Sequence, residues 1–267
     1  MRRLAGTRRV GHCGTLDPFA SGILPVVIGR ATRLVDEVHK FPKTYEADLH
    51  LGIETDTLDL EGTVMRLGLP PLKLTQQDVE ECFERFRGVI QQVPPAFSAA
   101  RVQGQRAYEL ARGGERVELA ARTVYIHNLT LLALEKDRLT FSVTCSSGTY
   151  VRSLARDMAY ALGTVGHLSR LVRTRVGPFS LHDALLPEEL EALGDLGMVL
   201  LPPDAVFADS AAIALSALEA QRVRNGAPVP AADSLSEVAT VRAYEGEELL
   251  ALLRYGDTGL RPVWLLK

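Results

Sequence analysis

The chain has 267 residues, 46% of them hydrophobic and 24% charged, with a net charge of −3. That is ample apolar side chain for a core and excludes disorder as the main state, while no run approaches the ~20 apolar residues of a membrane helix. Cys13, Cys82 and Cys145 are odd in number and far apart, which excludes a disulfide framework and a zinc knuckle.

The length suits one large domain, or a large one with a small one. The Met-Arg-Arg start is followed by Gly6-Thr7-Arg8-Arg9 instead of an apolar stretch, so a cytoplasmic location is expected. The small net charge argues against nucleic acid until it is counted by segment. Residues 1–50 carry +3, residues 51–100 −4, residues 101–180 +6 and residues 181–267 −8. Every cation in 101–180 is Arg except Lys136, and the guanidinium fork suits phosphate. A solvated face is the commoner cause of such a run, with phosphate or RNA binding as the alternative.

In chain order, residues 11–22 read as a loop, because three Gly and an Asp-Pro punctuate them. Ile23 to Ile28 reads as a short buried strand and Ala31 to Val38 as a helix. Lys43 to Leu51 alternates through Tyr45, Ala47, Leu49 and Leu51, the pattern of a half-buried strand. Leu58 to Gly62 is an acidic turn, and extended structure resumes at Thr63 to Arg66. Thr75 to Arg87 is predicted as a helix: Thr75 and Asp78 form a capping box, and Val79, Cys82, Phe83 and Phe86 recur at helical spacing. Residues 93–122, after Pro94-Pro95, are rich in Gly, Arg and Gln and read as a basic excursion with a short helix near Ala107 to Arg112. Val124 to Leu134 and Leu139 to Cys145 read as strands. After the turn Ser146-Ser147-Gly148, an amphipathic helix runs through Val151, Leu154, Ala155, Met158 and Leu162 to a stop at Gly163. His167 to Arg175 alternates Arg with apolar residues, as in a strand with one basic face. Residues 181–205 carry an acidic helix and Pro202-Pro203, a domain boundary. Beyond it, Val238–Val241, Leu249–Leu253 and Val263–Leu266 suggest a small β-rich module.

Taken singly, the candidate residues are ambiguous. Asp17 sits before Pro18, whose fixed φ stiffens the turn that presents the carboxylate. On spacing alone, an Asx-turn or a helix cap is the better reading of it. His12 could stack on a base or bond only to backbone, and Tyr45 could be an ordinary strand aromatic. Arg152 stands in the first turn of a helix, where the macrodipole favours acids. A nearby carboxylate or phosphate would explain it, as would solvent exposure.

In order, these pieces resemble a family. Gly11-His12-Cys13-Gly14-Thr15-Leu16-Asp17-Pro18-Phe19-Ala20-Ser21-Gly22 is similar to the GHxGxLDPxAxG motif of TruB-type pseudouridine synthases, the bacterial tRNA pseudouridine-55 synthases. The likeness continues through Lys43 to Ala47, Leu51 to Asp59, Pro94 to Arg112, Ser147 to Ser153 and His167 to Arg175.

The resemblance implies a mixed α/β (α+β) catalytic domain on a central antiparallel sheet over residues 1–205, with 93–122 as an RNA-clamping thumb loop. A small PUA-like RNA-binding domain follows over 206–267. It implies Asp17 as the catalytic aspartate, Arg152 as its partner, and Tyr45 as the residue that stacks on the target base. Tyr150 and Leu171 line the uracil pocket, and His12 replaces the flipped base. Arg101, Arg106 and Arg173 are expected to contact RNA. The implied partner is the T-arm of tRNA, bound by a cytoplasmic monomer with no metal, cofactor or membrane. Family members carry a further N-terminal segment with a Lys-Pro-x-Gly-x-Thr/Ser motif, so this chain is expected to lack one strand of the sheet.

Overall fold

The computed structural model describes residues 1–71, 73–98, 101–102, 105–108, 119–230, 240–256 and 259–266, with the backbone alone at 101–102 and 105–106. The chain forms two compact units, one of residues 14–25 and 39–184, the other of residues 1–13, 26–38 and 185–267. The division does not follow the boundary expected at 205.

The larger unit is built on a seven-stranded sheet. Its strands are β2 (Ser21–Gly22), β4 (Lys43–Leu51), β7 (Gly88–Gln92), β10 (Arg122–Leu134), β11 (Arg138–Cys145), β12 (Gly166–Val176) and β13 (Phe179–Ser180). Their order is β13-β12-β4-β11-β10-β7, antiparallel throughout, and β2 joins β12 in parallel. The expected central antiparallel sheet is therefore present. In β4 the alternation read from the sequence holds, with Ala47, Leu49 and Leu51 buried on one face.

Two helices complete the core with those residues. Helix α2 (Gln76–Glu84) starts at the expected capping box: Thr75 Oγ1 accepts from Asp78 N at 3.2 Å, and Asp78 Oδ2 accepts from Thr75 N at 2.8 Å. It ends three residues before Arg87, whose guanidinium pairs with Glu80 and Glu84 of the helix and donates to Leu129 O of β10. Helix α3 (Val151–Ala161) presents Val151, Leu154, Ala155, Met158 and Ala159 to the core and stops before Gly163, at φ +79°. Val79, Cys82 and Phe83 of α2 join the same cluster. Burying each large apolar side chain contributes about 1.5–3 kcal/mol. A hairpin of β5 (Ile53–Thr55) and β6 (Val64–Leu67) and a smaller one of β8 (Arg101–Val102) and β9 (Gln105–Arg106) complete this unit. Ala107 and Tyr108 are helical, while the rest of the helix expected to Arg112 lies outside the described residues.

In the other unit, β1 (Val10–His12) pairs with β3 (Val26–Ile28). The strand expected over 23–28 is thus shorter, half-buried and outside the main sheet. Helix α1 (Val35–Lys40) follows a 3-10 turn over Gly29–Leu34. Strands β14 (Ala211–Ala214), β15 (Val241–Glu245), β16 (Glu248–Gly256) and β17 (Gly259–Leu265) form a four-stranded sheet. The acidic helix α4 (Pro187–Leu193) precedes it, and α5 (Ala217–Arg224) starts at a Ser216–Glu219 capping box that the sequence reading passed over. Polar contacts tie the N-terminal segments of this unit to its C-terminal ones. Arg254 Nη2 stands 3.1 Å from Glu37 Oε2, and Arg33 donates to Leu265 O at 3.4 Å. No helix among the described residues is long and apolar enough to cross a membrane.

Candidate active site

The loop 14–25 that carries Asp17 is held on its outgoing side by the backbone of β12. Ile23 N donates to Arg173 O, and Ser21–Gly22 run parallel to Val172–Arg173. Gly22 sits at φ +113°, and a Cβ there would fall 2.2 Å from Arg173 O. Only glycine fits this close approach in the left-handed region. The tether presents Asp17 with its side chain 35% exposed, the one carboxylate of the cluster open to a substrate.

Arg152 reaches Asp17 from the first turn of α3. Its Nε donates to Asp17 Oδ2 at 2.8 Å, Nη1 to Thr57 O at 2.7 Å and to Asp59 Oδ2 at 3.2 Å, and Nη2 to Phe97 O at 3.1 Å. The guanidinium is 5% exposed and Asp59 6%. The carboxylates, not solvent, explain why a cation sits in this first turn. Asp59 was missed as a site residue, although it lies within the Leu51 to Asp59 motif. Its other oxygen accepts from Thr57 Oγ1 at 2.6 Å and Glu61 N at 3.1 Å, so the turn at 57–61 is folded around it. Nothing in that stretch of sequence says which cation it meets.

The start of α3 is positioned by a second residue that the motifs do not mark. Gln92, fully buried, brackets Tyr150: its Oε1 accepts from Tyr150 N at 2.8 Å and its Nε2 donates to Tyr150 O at 3.1 Å. The amide takes up the Tyr150 N–H, while the Tyr150 carbonyl also accepts from Leu154 N inside the helix. Ser153 Oγ donates to Val93 O at 2.8 Å, which holds the first turn to the same segment. The Tyr150 ring is half-buried beneath the Arg122 guanidinium, 5.4 Å from its centroid.

Tyr45 stands in β4 on the face of Ala47 and Leu49. Burial pushes its hydroxyl up to about 12, with the charges of Cys145 and Asp17 acting in the same direction and Arg173 opposing them. Tyr45 is therefore a phenol at neutral pH and lies within electrostatic reach of Asp17. Leu171 is buried in the core cluster opposite Ala47, one strand over.

The structure thus brings Asp17, Arg152, Tyr45 and Leu171 into one unit, with Tyr150 at the start of the helix that carries Arg152. Arg173 is placed elsewhere than expected. It is 1% exposed and does not share a solvent face with Arg170 and Arg175, which are exposed. Pairing is regular from Leu171 to Arg173, so Arg173 follows the buried Leu171 onto the core face, and the register shift at Arg173/Arg175 turns Arg175 outward. The Arg173 guanidinium thus lies inside the fold and not on the solvent face expected for an RNA contact. His12 is exposed at the end of β1, in the unit that does not hold Asp17. Arg101 and Arg106 are register partners in the β8–β9 hairpin, and their side chains lie outside the described residues. Among the described residues no three His, Cys, Asp or Glu side chains are grouped to hold a metal ion.

Comparison with known proteins accounts for this arrangement. Residues 2–151 match the model of the TruB family pseudouridylate synthase N-terminal domain, and residues 152–208 that of the tRNA pseudouridylate synthase B C-terminal domain. The chain is 42% identical to tRNA pseudouridine synthase B of Bradyrhizobium diazoefficiens, over 98% of this chain and 79% of that protein. It is 42% identical to the protein of the same name from Moorella thermoacetica, over 100% of this chain and 91% of that protein. Among solved structures, a chain of a Cbf5-Nop10-Gar1 complex aligns with a TM-score of 0.72 at 22% identity, covering 100% of this chain and 79% of that one, a likeness of fold.

Proposed function

The chain belongs to the TruB family of pseudouridylate synthases, and from that premise we propose that it isomerises the uridine at position 55, in the T-loop of tRNA, with Asp17 as nucleophile. The observation that carries this reading is the Asp17 carboxylate itself: partly open, and aimed by a buried guanidinium that a second carboxylate holds from behind.

The reaction breaks the N1–C1′ glycosidic bond, turns the uracil, and rejoins it through C5; the C5 proton is lost and N1 gains one. An ionised carboxylate suits the first step, since it can attack C1′ or stabilise the cationic character that develops there. The Arg152 bond to Oδ2 pairs the carboxylate with a cation and orients its other oxygen, Oδ1. Tyr45 offers a flat apolar face for the base and a neutral hydroxyl near Asp17. Tyr150 and Leu171 complete the pocket walls. The target uridine is stacked within its loop, so it is flipped out to be reached, with His12 taking its place. Arg101 and Arg106, in the excursion 93–122, contact phosphates and position the RNA without reading its sequence. The folded shape of the T-loop supplies the specificity. Residues 206–267 act as a PUA-like RNA-binding module, and the enzyme works as a cytoplasmic monomer without a metal or cofactor.

Tritium release from C5-labelled uridine in a T-arm stem-loop tests the reading. The wild-type chain is expected to release label, and Asp17→Asn to release none above background. A wild-type rate no better than Asp17→Asn overturns it, and free uracil among the products would show hydrolysis in place of isomerisation.

A further inference from the structure

We infer that Arg173 is a positioning residue of this active site: one buried guanidinium that ties together both shoulders of the Asp17 loop, on the sheet face that carries Tyr45. The inference rests on the function proposed above for what the tie accomplishes, while the tie itself is a matter of geometry.

Among the described residues, Arg173 heads the largest fully buried side chains, at 1% exposure. Its Nε donates to Ile23 O at 2.9 Å, on the outgoing side of the loop. Its Nη2 donates to Gly14 O at 3.0 Å, and Nη1 stands 3.5 Å from Thr15 O, both on the incoming side. Asp17 lies between these two anchors. Arg173 is also the register partner of Tyr45 across β4 and β12, which puts the two side chains on one face of the sheet. There the guanidinium charge opposes the rise in the Tyr45 hydroxyl's pKa that burial causes.

Among the described residues, no carboxylate stands within ion-pair distance of Arg173. A buried cation whose hydrogen bonds go to carbonyls alone is costly to keep. An apolar residue of the same length would fill the space without that cost, but could not span three carbonyls on two chain segments. The planar fork spans them, and lysine, with a single point charge, cannot. Its charge also favours a hydroxyl oxygen that takes on negative character while a proton moves at the base. The carboxylate and the hydroxyl that face the substrate thus share one rigid support, distinct from Arg152, which binds the carboxylate itself.

The test combines chemistry, binding and loop dynamics in Arg173→Lys, Arg173→Met and Tyr45→Phe. With a T-arm stem-loop under single-turnover conditions, Arg173→Met is expected to lose roughly 100-fold or more in rate while the RNA Kd stays within about threefold, since effects on alignment fall on the chemical step. Arg173→Lys should fall between. The double variant Tyr45→Phe with Arg173→Met should lose less than the product of the single losses, because the two residues act together. Amide hydrogen exchange over residues 14–25 should quicken in Arg173→Met, with β10 and β11 unchanged. A wild-type-like rate, a loss that follows Kd, multiplicative single losses, or unchanged exchange in the loop would each overturn the inference. If the wild-type chain shows no turnover, the proposed function fails while the exchange measurement still decides whether Arg173 holds the loop.

Discussion

Asp17 is one of several aspartates in the chain, and what separates it from Asp59, which shares Arg152, is that its carboxylate is partly exposed. The Arg152 guanidinium is shared between an accessible carboxylate and a buried one, with two carbonyls completing its donors. The division of labour leads to different expectations for the two aspartates. Arg152→Ala should abolish turnover with little change in RNA affinity, measured by tritium release and by filter binding. It should also lower stability, since removing one partner from a buried charge cluster costs about 3–5 kcal/mol. Asp59→Asn keeps the volume and one acceptor, so the expected effect is smaller: a loss of roughly 10–100-fold in single-turnover rate, or about 1.4–2.7 kcal/mol, with Kd unchanged. An Asp59→Asn enzyme at full rate would show that Arg152 needs no support from behind.

Elements matter to the site mainly through their ends. The start of α3 carries Arg152 and Tyr150, and it is fixed by Gln92 from β7 in place of a side-chain cap. The Asp17 loop is fixed where β2 lies along β12. Gly22→Ala forces a Cβ against Arg173 O at a φ that side chains avoid, a strain of about 1–3 kcal/mol. It should lower the urea midpoint and reduce turnover, whereas Thr75→Ala, which removes only the α2 cap, should cost about 1 kcal/mol and leave turnover intact. At the junction of β4 and β12, His50 and His167 meet edge to face, with centroids 5.4 Å apart. Burial, then the neighbouring His167, lowers the pKa of His50, and Asp137 opposes the shift. Because the folded state binds that proton less well than the unfolded state, stability rises with pH through this group. It is fully present above the unfolded-state pKa near 6.5 and is lost as pH falls below it. His50→Gln should therefore flatten the decline of thermal midpoint between about pH 7 and 5.

For the molecule as a whole, net charge is the least informative number. The total of −3 contains a basic 101–180 stretch and a −8 C-terminal stretch. RNA binding should accordingly weaken as salt rises, with log Kd linear in log salt. Arg106→Ala should weaken binding and reduce the slope by about one phosphate contact. Arg173→Met should leave the slope unchanged, because its guanidinium is buried. An unchanged slope in Arg106→Ala would remove that residue from the RNA interface.

Much of this protein was legible in its residues. Local signals read correctly: the alternation of Lys43 to Leu51, the Thr75 capping box, the amphipathic stripe from Val151 and the stop at Gly163 are each set by contacts within a few residues, or by one buried face. The Asp17 loop was recognisable as a motif, and the pairing of Asp17 with Arg152 was implied by resemblance. The single basic face expected for β12 failed, because Arg173 follows Leu171 into the interior and a register shift turns Arg175 outward. A bulge is a response to the neighbouring strand, and the strand's own residues carry no mark of it. The roles of Asp59, Gln92 and Arg173 likewise depend on groups 93, 58 and 150 residues away along the chain. The sequence by itself determined which segments are helix or strand and which loop carries the carboxylate, because propensity, capping and periodicity act over a few residues. Only the tertiary structure decided which charges are buried together, because desolvation and pairing depend on neighbours that folding brings in from distant parts of the chain.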